Sequence, residues 1–281
     1  MLSFGASKTP DKMGKVVSVD PAENASELHQ RRDEAVLWLK LNRPQALNSL
    51  TATLVDDMTR AIAEAQHNAD IRVIVLTGEG RAFCAGADLK DSAKRGPEGG
   101  AAFVKAIGAL TELIEACPKP VIVAINGIAV AGGLELVLAC DIVVATESAV
   151  IGDAHSNFAL FPGAGASVRL PRKIGLNNAK LVMFTGESSP ASEWKAMGLV
   201  NQVFPDSEFI ESVTNLAGKL AIKSPLVLAR MKQALNDALD QPVSVGLRYE
   251  RALSNLHHLS ADRAEGLAAF REKRPPRFEG K

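Results

Sequence analysis

Short continuous apolar runs alternate with amphipathic segments along the first two thirds of the chain. The runs Val73 to Leu76, Val121 to Ile125 and Ile142 to Ala145 have the length of strands. Between them, apolar residues recur at helical spacing from Leu54 to Ala65, after a capping Thr51, and a second helix is predicted over Ala101 to Cys117. Strands that alternate with helices in this way are typical of an α/β fold.

The two ends of the chain differ from this middle part. Met1 to Lys15 has no periodicity and is predicted to be a flexible tail. Strands are predicted at Val16 to Val19 and Ala35 to Leu41, with a polar hairpin or loop between them. From Asn177 onward the pattern is mainly helical.

Three helical signals mark the last third of the chain. Ser224-Pro225 caps and starts a helix with one apolar face, and two more helices are predicted, at Ser244 to Leu256 and Ser260 to Glu272. The pattern changes near Pro205 to Ser212. The predicted organisation is therefore a tail (1–15), an α/β core (16–208) and a helical C-terminal region (209–281).

Composition excludes several classes of protein. The formal net charge is zero, and no cluster of Lys and Arg is interleaved with aromatic residues, so nucleic acid is not an expected partner. No apolar run has the length of a membrane span, and the first residues lack the apolar core of a signal peptide. Three cysteines with apolar neighbours predict neither disulfides nor a metal site. We expect a cytoplasmic protein that acts on a small molecule.

Two loops rich in Gly and Ala follow two of the predicted strands. One runs from Gly127 to Asp141 and leads into a helix near Leu134, and the other runs from Thr77 to Leu89. Gly132 and Gly133 allow a ligand to approach the backbone, where the N–H groups of a helix start are unpaired. Glu135 follows in the first helical turn. This junction is therefore predicted to place an acid/base group beside an oxyanion site.

Five stretches together resemble the crotonase superfamily, the enoyl-CoA hydratases and isomerases. They are Leu41-Asn-Arg-Pro44 with Asn48, Ala82 to Leu89, Gly127 to Asp141, Pro162-Gly-Ala-Gly165 with Arg169-Leu170, and Phe270 to Phe278. The resemblance implies a spiral of repeated ββα units with a C-terminal helical trimerisation region. It also implies an acyl-CoA thioester as substrate and assembly into a homotrimer or a dimer of trimers.

The resemblance also assigns roles to residues. The backbone N–H groups of Ala87 and Gly132 would hold the thioester oxygen, and Glu135 matches one of two catalytic glutamates of the family. The second glutamate position, seven residues before Pro162, is occupied by His155. An imidazole exchanges protons near neutral pH, so His155 is the second candidate acid/base, with Asp153 a weaker candidate carboxylate.

Binding of CoA is assigned by the same resemblance to Ala85, Lys90, Phe270 and Lys273, the last two from a neighbouring subunit. CoA would enter as part of the substrate, and no separate cofactor or metal is expected. Hydration or dehydration of an enoyl-CoA is the first expectation for the reaction. The alternatives are an isomerase, a hydrolase on the same scaffold, and a non-catalytic acyl-CoA-binding protein that needs neither Glu135 nor His155.

Overall fold

The structure, a computed structural model, describes residues 26–92 and 94–281, apart from the side chain of Ser92. The predicted tail at Met1 to Lys15 and the predicted strand at Val16 to Val19 lie outside these residues.

The described chain folds into strands and helices that alternate, as the apolar pattern predicts. The strands are β1 (Leu28–Asp33), β2 (Val36–Leu41), β3 (Val73–Gly78), β4 (Ala82–Cys84), β5 (Val121–Ile125), β6 (Ile128–Val130), β7 (Ile142–Thr146), β8 (Val150–Gly152), β9 (Ser188–Pro190) and β10 (Gln202–Phe204). The helices are α1 (Ala52–His67), α2 (Leu89–Ser92), α3 (Gly96–Ala116), α4 (Gly132–Ala139), α5 (Ala166–Ile174), α6 (Leu176–Thr185), α7 (Ala191–Met197), α8 (Phe209–Ala221), α9 (Pro225–Ala238), α10 (Val243–His257) and α11 (Ala261–Glu272).

Successive segments of the chain add one strand to each of two sheets. The six-stranded sheet has the order β1-β2-β3-β5-β7-β10, and the four-stranded sheet has the order β4-β6-β8-β9. Strands β3, β5 and β7 pair in parallel in the first sheet, and β4, β6 and β8 do so in the second. Along the chain, helix α3 follows β3 and β4, helix α4 follows β5 and β6, and helix α5 follows β7 and β8. The fold is thus the expected spiral of ββα units.

Two short strands of the second sheet, β4 and β6, were not predicted from the sequence. The stretch Thr77 to Leu89, predicted as a loop, contains the last two residues of β3 and all of β4, and the junction that begins at Gly127 contains β6. Both strands are only three residues long, so they show neither alternation nor a long apolar run. The polar segment before Ala35 forms β1, which pairs antiparallel with β2 as a hairpin.

Helix starts follow local capping chemistry. Thr51 accepts a hydrogen bond from the N–H of Leu54 at 3.0 Å, which confirms the predicted cap of α1. Helix α3 begins at Gly96, before the predicted Ala101, because Pro97 stands in its first turn, where a missing N–H is harmless. Gly99 and Gly100, which precede the predicted start, therefore lie inside the helix.

The C-terminal helices divide into two groups. Phe209, Val213 and Ala217 of α8 are buried against one face of the six-stranded sheet. In contrast, α9 and α10 bury no residue, and the predicted apolar face of α9 leaves Met231 and Leu235 exposed. The division of the chain at residue 208 stays a prediction. Among the described residues no helix is both long and apolar enough to cross a bilayer.

Candidate active site

The loop Thr77 to Leu89 pairs with the segment before α1 through an isolated parallel bridge between Leu50 and Ala87. The N–H of Leu50 donates to the carbonyl of Gly86 at 2.7 Å, and the N–H of Asp88 donates to the carbonyl of Leu50 at 3.0 Å. Because this pairing uses the groups on either side of Ala87, the N–H of Ala87 points away from the bridge. Within the described chain it donates no backbone hydrogen bond.

The second free donor lies at the start of α4. Gly132 is the first residue of that helix, so its N–H has no acceptor within the helix. A Cβ built on Gly132 would lie 3.5 Å from the nitrogen of Ala87, which shows how closely the two backbone segments approach. The two backbone segments that the resemblance assigns to the thioester oxygen are therefore neighbours.

The turn into α4 is held in an unusual conformation. Ala131, the N-cap residue, has φ 51° and ψ −121°, a region that favours glycine. After this turn, the N–H of Glu135 donates to the carbonyl of Ala131 at 3.1 Å.

The loop that carries Ala87 is fixed by charge. Arg43 contacts Oδ2 of Asp88 at 3.0 Å and donates to the carbonyl of Ser49 at 2.6 Å. Burial raises the pKa of Asp88, but the hydrogen bonds from Arg43 and from the N–H of Asp91 outweigh this and hold it below its usual value. Asp88 thus orders the loop, whereas its contact with Arg43 was not predicted from the sequence.

Glu135 is buried below the loop, with 3% of its surface exposed. Its Oε1 accepts hydrogen bonds from the N–H groups of Ala164, at 2.7 Å, and Ala166, at 3.2 Å. Burial raises the pKa of Glu135 despite these two bonds. The carboxyl group is therefore fixed in position and is a stronger base when ionised than an exposed glutamate.

The turn that binds Glu135 is itself supported from the other side. The carbonyl of Ala164 accepts hydrogen bonds from Arg169 at 2.9 Å and from Thr111 at 3.0 Å, and Arg169 also pairs with Glu115 at 2.8 Å. Gly165 has φ 112°, which only glycine adopts readily. Sequence reasoning found this turn but not the role of Thr111, since no local pattern connects α3 with residue 164.

His155 faces Glu135, as its position in the family motif implies. Its Nε2 lies 4.0 Å from Oε2 of Glu135, and its Nδ1 lies 3.1 Å from Oδ2 of Asp153. Burial lowers the pKa of His155, but the hydrogen bond with Asp153 and the charges of Asp153 and Glu135 reverse this and raise it above its ordinary value. The imidazole and the two carboxyl groups form one buried cluster.

The residues predicted to bind CoA fall into two groups. Ala85 belongs to the loop Thr77 to Leu89, where its N–H donates to the carbonyl of Leu47 at 3.0 Å, and Lys90 is exposed in helix α2. Phe270 is 84% exposed on α11, and Lys273 ends that helix with φ 54°. In the described chain, no hydrogen bond or ion pair connects Phe270 or Lys273 with the oxyanion loops. Contact of all four with CoA stays a prediction.

A metal site, the thiol of Cys84 and a surface cleft are the other places where chemistry could take place. Among the described residues no group of three His, Cys, Asp or Glu side chains could hold a metal ion. Burial raises the pKa of Cys84 to about 12, which disfavours the reactive thiolate of this packed side chain. A cleft of about 1100 Å³ between α3, α5 and α9 borders the turn Pro162 to Gly165 but lacks both oxyanion donors and Glu135. The cluster around Glu135 therefore stays the predicted site of the chemistry.

The fold defines the class of protein, because the same fold is found in solved structures of enoyl-CoA hydratases. The family model for enoyl-CoA hydratase/isomerase matches residues 31–281. The chain belongs to that family, which confirms the resemblance seen in its motifs.

Named relatives and solved structures agree with this assignment. The chain is 39% identical over 256 residues to 2,3-dehydroadipyl-CoA hydratase of Escherichia coli, an alignment that covers 91% of this chain and all of the relative. It is 36% identical to human mitochondrial methylglutaconyl-CoA hydratase, with 89% of this chain and 76% of the relative covered. The crystal structure of an enoyl-CoA hydratase from Bacillus anthracis superposes with a TM-score of 0.89 at 38% identity, covering 91% of this chain and all of that one.

Proposed function

We propose that the protein adds water across the double bond of a 2-enoyl-CoA thioester and catalyses the reverse dehydration. The observation that carries this proposal is the position of two unpaired N–H groups, of Ala87 and Gly132, beside the buried pair of Glu135 and His155. Attack of water on the β-carbon moves negative charge onto the thioester oxygen. Two fixed donors stabilise that charge, and each such donor contributes roughly 3 kcal/mol.

The pair divides the proton transfers. Glu135, as carboxylate, accepts a proton from water while the water oxygen bonds to the β-carbon. His155, as imidazolium, donates its proton from Nε2 to the α-carbon, and the enolate returns to the thioester. Transfer of the proton from Glu135 to His155 through one water molecule, since Oε2 and Nε2 lie 4.0 Å apart, restores the starting state. Hydration neither oxidises nor reduces the substrate, so this chemistry requires no cofactor besides the CoA that the substrate carries.

Isomerisation of the double bond is the second candidate, because the family's second glutamate is replaced by His155. An isomerase removes a proton at one carbon of the acyl chain and returns it at another, so a single carboxylate that shuttles protons is enough. Such an enzyme would form the same enolate but would add no water.

The experiment is product analysis on a panel of enoyl-CoA thioesters. The panel includes acyl chains that end in a second carboxylate, because the relatives from E. coli and human are named for such substrates. Wild type is compared with Glu135→Gln and His155→Gln, and Glu193→Gln, an exposed glutamate of α7, is the matched control.

We expect hydroxyacyl-CoA as the product and a loss of about 100- to 10,000-fold in kcat for Glu135→Gln, the usual contribution of one acid/base group. Glu193→Gln should behave as wild type. A shifted double bond as the only product would replace hydration with isomerisation, and free CoA would indicate a hydrolase. Binding of the thioesters without any turnover would contradict hydration, isomerisation and hydrolysis alike.

We also propose that the chain associates with copies of itself through α9 and α10, as a trimer or a dimer of trimers. Neither helix buries a residue, while Leu235 and Leu239 are 70% and 67% exposed. An apolar face of this kind is typical of a subunit interface. Sedimentation velocity of wild type and Leu235→Lys tests this: the variant should shift toward monomer, whereas a monomeric wild type would contradict the proposal.

A further inference from the structure

A buried carboxylate stands behind the histidine that replaces the expected glutamate. Asp153 is only 1% exposed, and its two oxygens bond to one residue: Oδ1 accepts the N–H of His155 at 3.2 Å, and Oδ2 lies 3.1 Å from Nδ1 of the ring. We propose that Asp153 is a positioning residue that fixes the tautomer and orientation of His155, so that Nε2 is the nitrogen that exchanges protons in the site. The inference deepens the hydratase proposal and rests on it for its catalytic meaning.

The backbone between the two residues supports this role. Ala154 has φ 59° and ψ −4°, a left-handed conformation that is uncommon for alanine. This turn brings the ring of His155 back over the carboxylate of Asp153 and begins the short 3₁₀ helix His155–Phe158. A strained residue between two bonded side chains indicates that their contact is maintained at some cost.

The hydrogen-bond chemistry determines the tautomer. An ionised carboxylate only accepts hydrogen bonds, so Nδ1 must be the donor to Asp153. In the neutral ring Nε2 then carries the lone pair, and it is this nitrogen that faces Oε2 of Glu135 at 4.0 Å. When the ring is charged, the same carboxylate stabilises the imidazolium.

The charged groups around the ring are few. Asp153 and Glu135 are the two carboxylates that act on it. The neighbouring helix α6 contributes Lys180 and the following turn contributes Glu187, and both side chains are exposed. Removal of the Asp153 charge should therefore dominate any change in the titration of His155.

The test is ¹⁵N NMR of histidine-labelled protein, with the His155 signals assigned by their loss in His155→Gln. In wild type we expect Nδ1 to be protonated in the neutral ring and the pKa to lie above its ordinary value of 6.5. In Asp153→Asn the amide keeps Oδ1 as acceptor but presents an N–H to Nδ1. We therefore expect the Nε2–H tautomer and a lower pKa. Asp70→Asn, at an exposed aspartate, is the matched control.

Kinetics provides the second measurement. We expect kcat of Asp153→Asn to fall about 100- to 10,000-fold with little change in KM, because the wrong tautomer removes the acid/base role of His155. The high-pH limb of the kcat profile should also move to lower pH, because the imidazolium loses its proton more easily.

Three results would overturn the inference. An unchanged tautomer and pKa in Asp153→Asn would show that the contact is only structural. If that variant does not fold, wild type provides the test: an Nε2–H tautomer, or a His155 pKa below 6.5, would also overturn the inference. The NMR result does not depend on turnover, so a protein that shows the expected spectra but hydrates no enoyl-CoA would refute the proposed function and leave the positioning role of Asp153 intact.

Discussion

Replacement of Gly132 by alanine should impair catalysis without unfolding the protein. A Cβ at this position would lie 3.3 Å from Cα of Gly86 and 3.5 Å from the nitrogen of Ala87. The first contact is tight and the second is ordinary van der Waals distance. The added methyl group therefore borders the space between the two N–H donors, where the thioester oxygen has to bind.

The expected magnitudes differ for stability and activity. Alanine at the first residue of a helix gains up to about 1 kcal/mol over glycine, and the 3.3 Å contact offsets part of this gain. The free energy of unfolding should therefore stay within about 1 kcal/mol of wild type. Displacement of the oxygen from one donor should lower kcat/KM by about 100- to 1,000-fold, the effect of losing one oxyanion donor.

The assay is loss of the ultraviolet absorbance of a conjugated enoyl-CoA, with urea unfolding as the stability measurement. Gly133→Ala is the neighbouring comparison, because its Cβ would lie 2.1 Å from the carbonyl oxygen of Cys84. That variant should lose at least about 2 kcal/mol of stability, since backbone must move. If Gly132→Ala keeps more than a tenth of the wild-type kcat/KM, the oxyanion assignment is refuted.

Three further predictions concern stability. Ala131→Gly should raise the free energy of unfolding by about 1 kcal/mol in chemical denaturation, because relief of the backbone strain exceeds the entropy cost of glycine. A loss of stability would show that the backbone of Ala131 is not strained. Burial raises the pKa of Glu135, so ionisation of this carboxyl group disfavours folding once the pH rises past 4.5, its ordinary value. Glu135→Gln should therefore be more stable than wild type at neutral pH and equally stable in acid. The opposite order would be evidence against a buried carboxylate. Lys232→Met leaves Asp141, its partner at 2.8 Å, unpaired and should cost about 2 to 3 kcal/mol in thermal unfolding, whereas no change would show that the pair is solvated.

The larger features of the fold could be predicted from the chain because they repeat. Parallel strands in the middle of a sheet are buried on both faces, so β3, β5 and β7 appear as continuous apolar runs. Helix α1 could be identified by its spacing together with the cap at Thr51. The spiral itself, however, was inferred from motif resemblance, since periodicity cannot specify how strands are ordered.

The smaller features could not be predicted because they depend on contacts between distant segments. Strands β4 and β6 are three residues each, and their identity depends on pairing with each other. The conformation of Ala131 and the contact between Asp153 and His155 also depend on the tertiary structure. The sequence shows that Asp153 and His155 are two residues apart, but not that their side chains are in contact. A motif that lacks its expected glutamate was the signal that drew attention to His155, but its partner required the structure.

Mass spectrometry of the product formed from an enoyl-CoA in H₂¹⁸O shows directly whether the enzyme adds water. We predict hydroxyacyl-CoA that carries one ¹⁸O, formed by wild type and at least about 100-fold more slowly by Glu135→Gln. An acyl-CoA product without ¹⁸O, or an equal rate in the variant, would contradict the claim that Glu135 activates water beside the donors at Ala87 and Gly132.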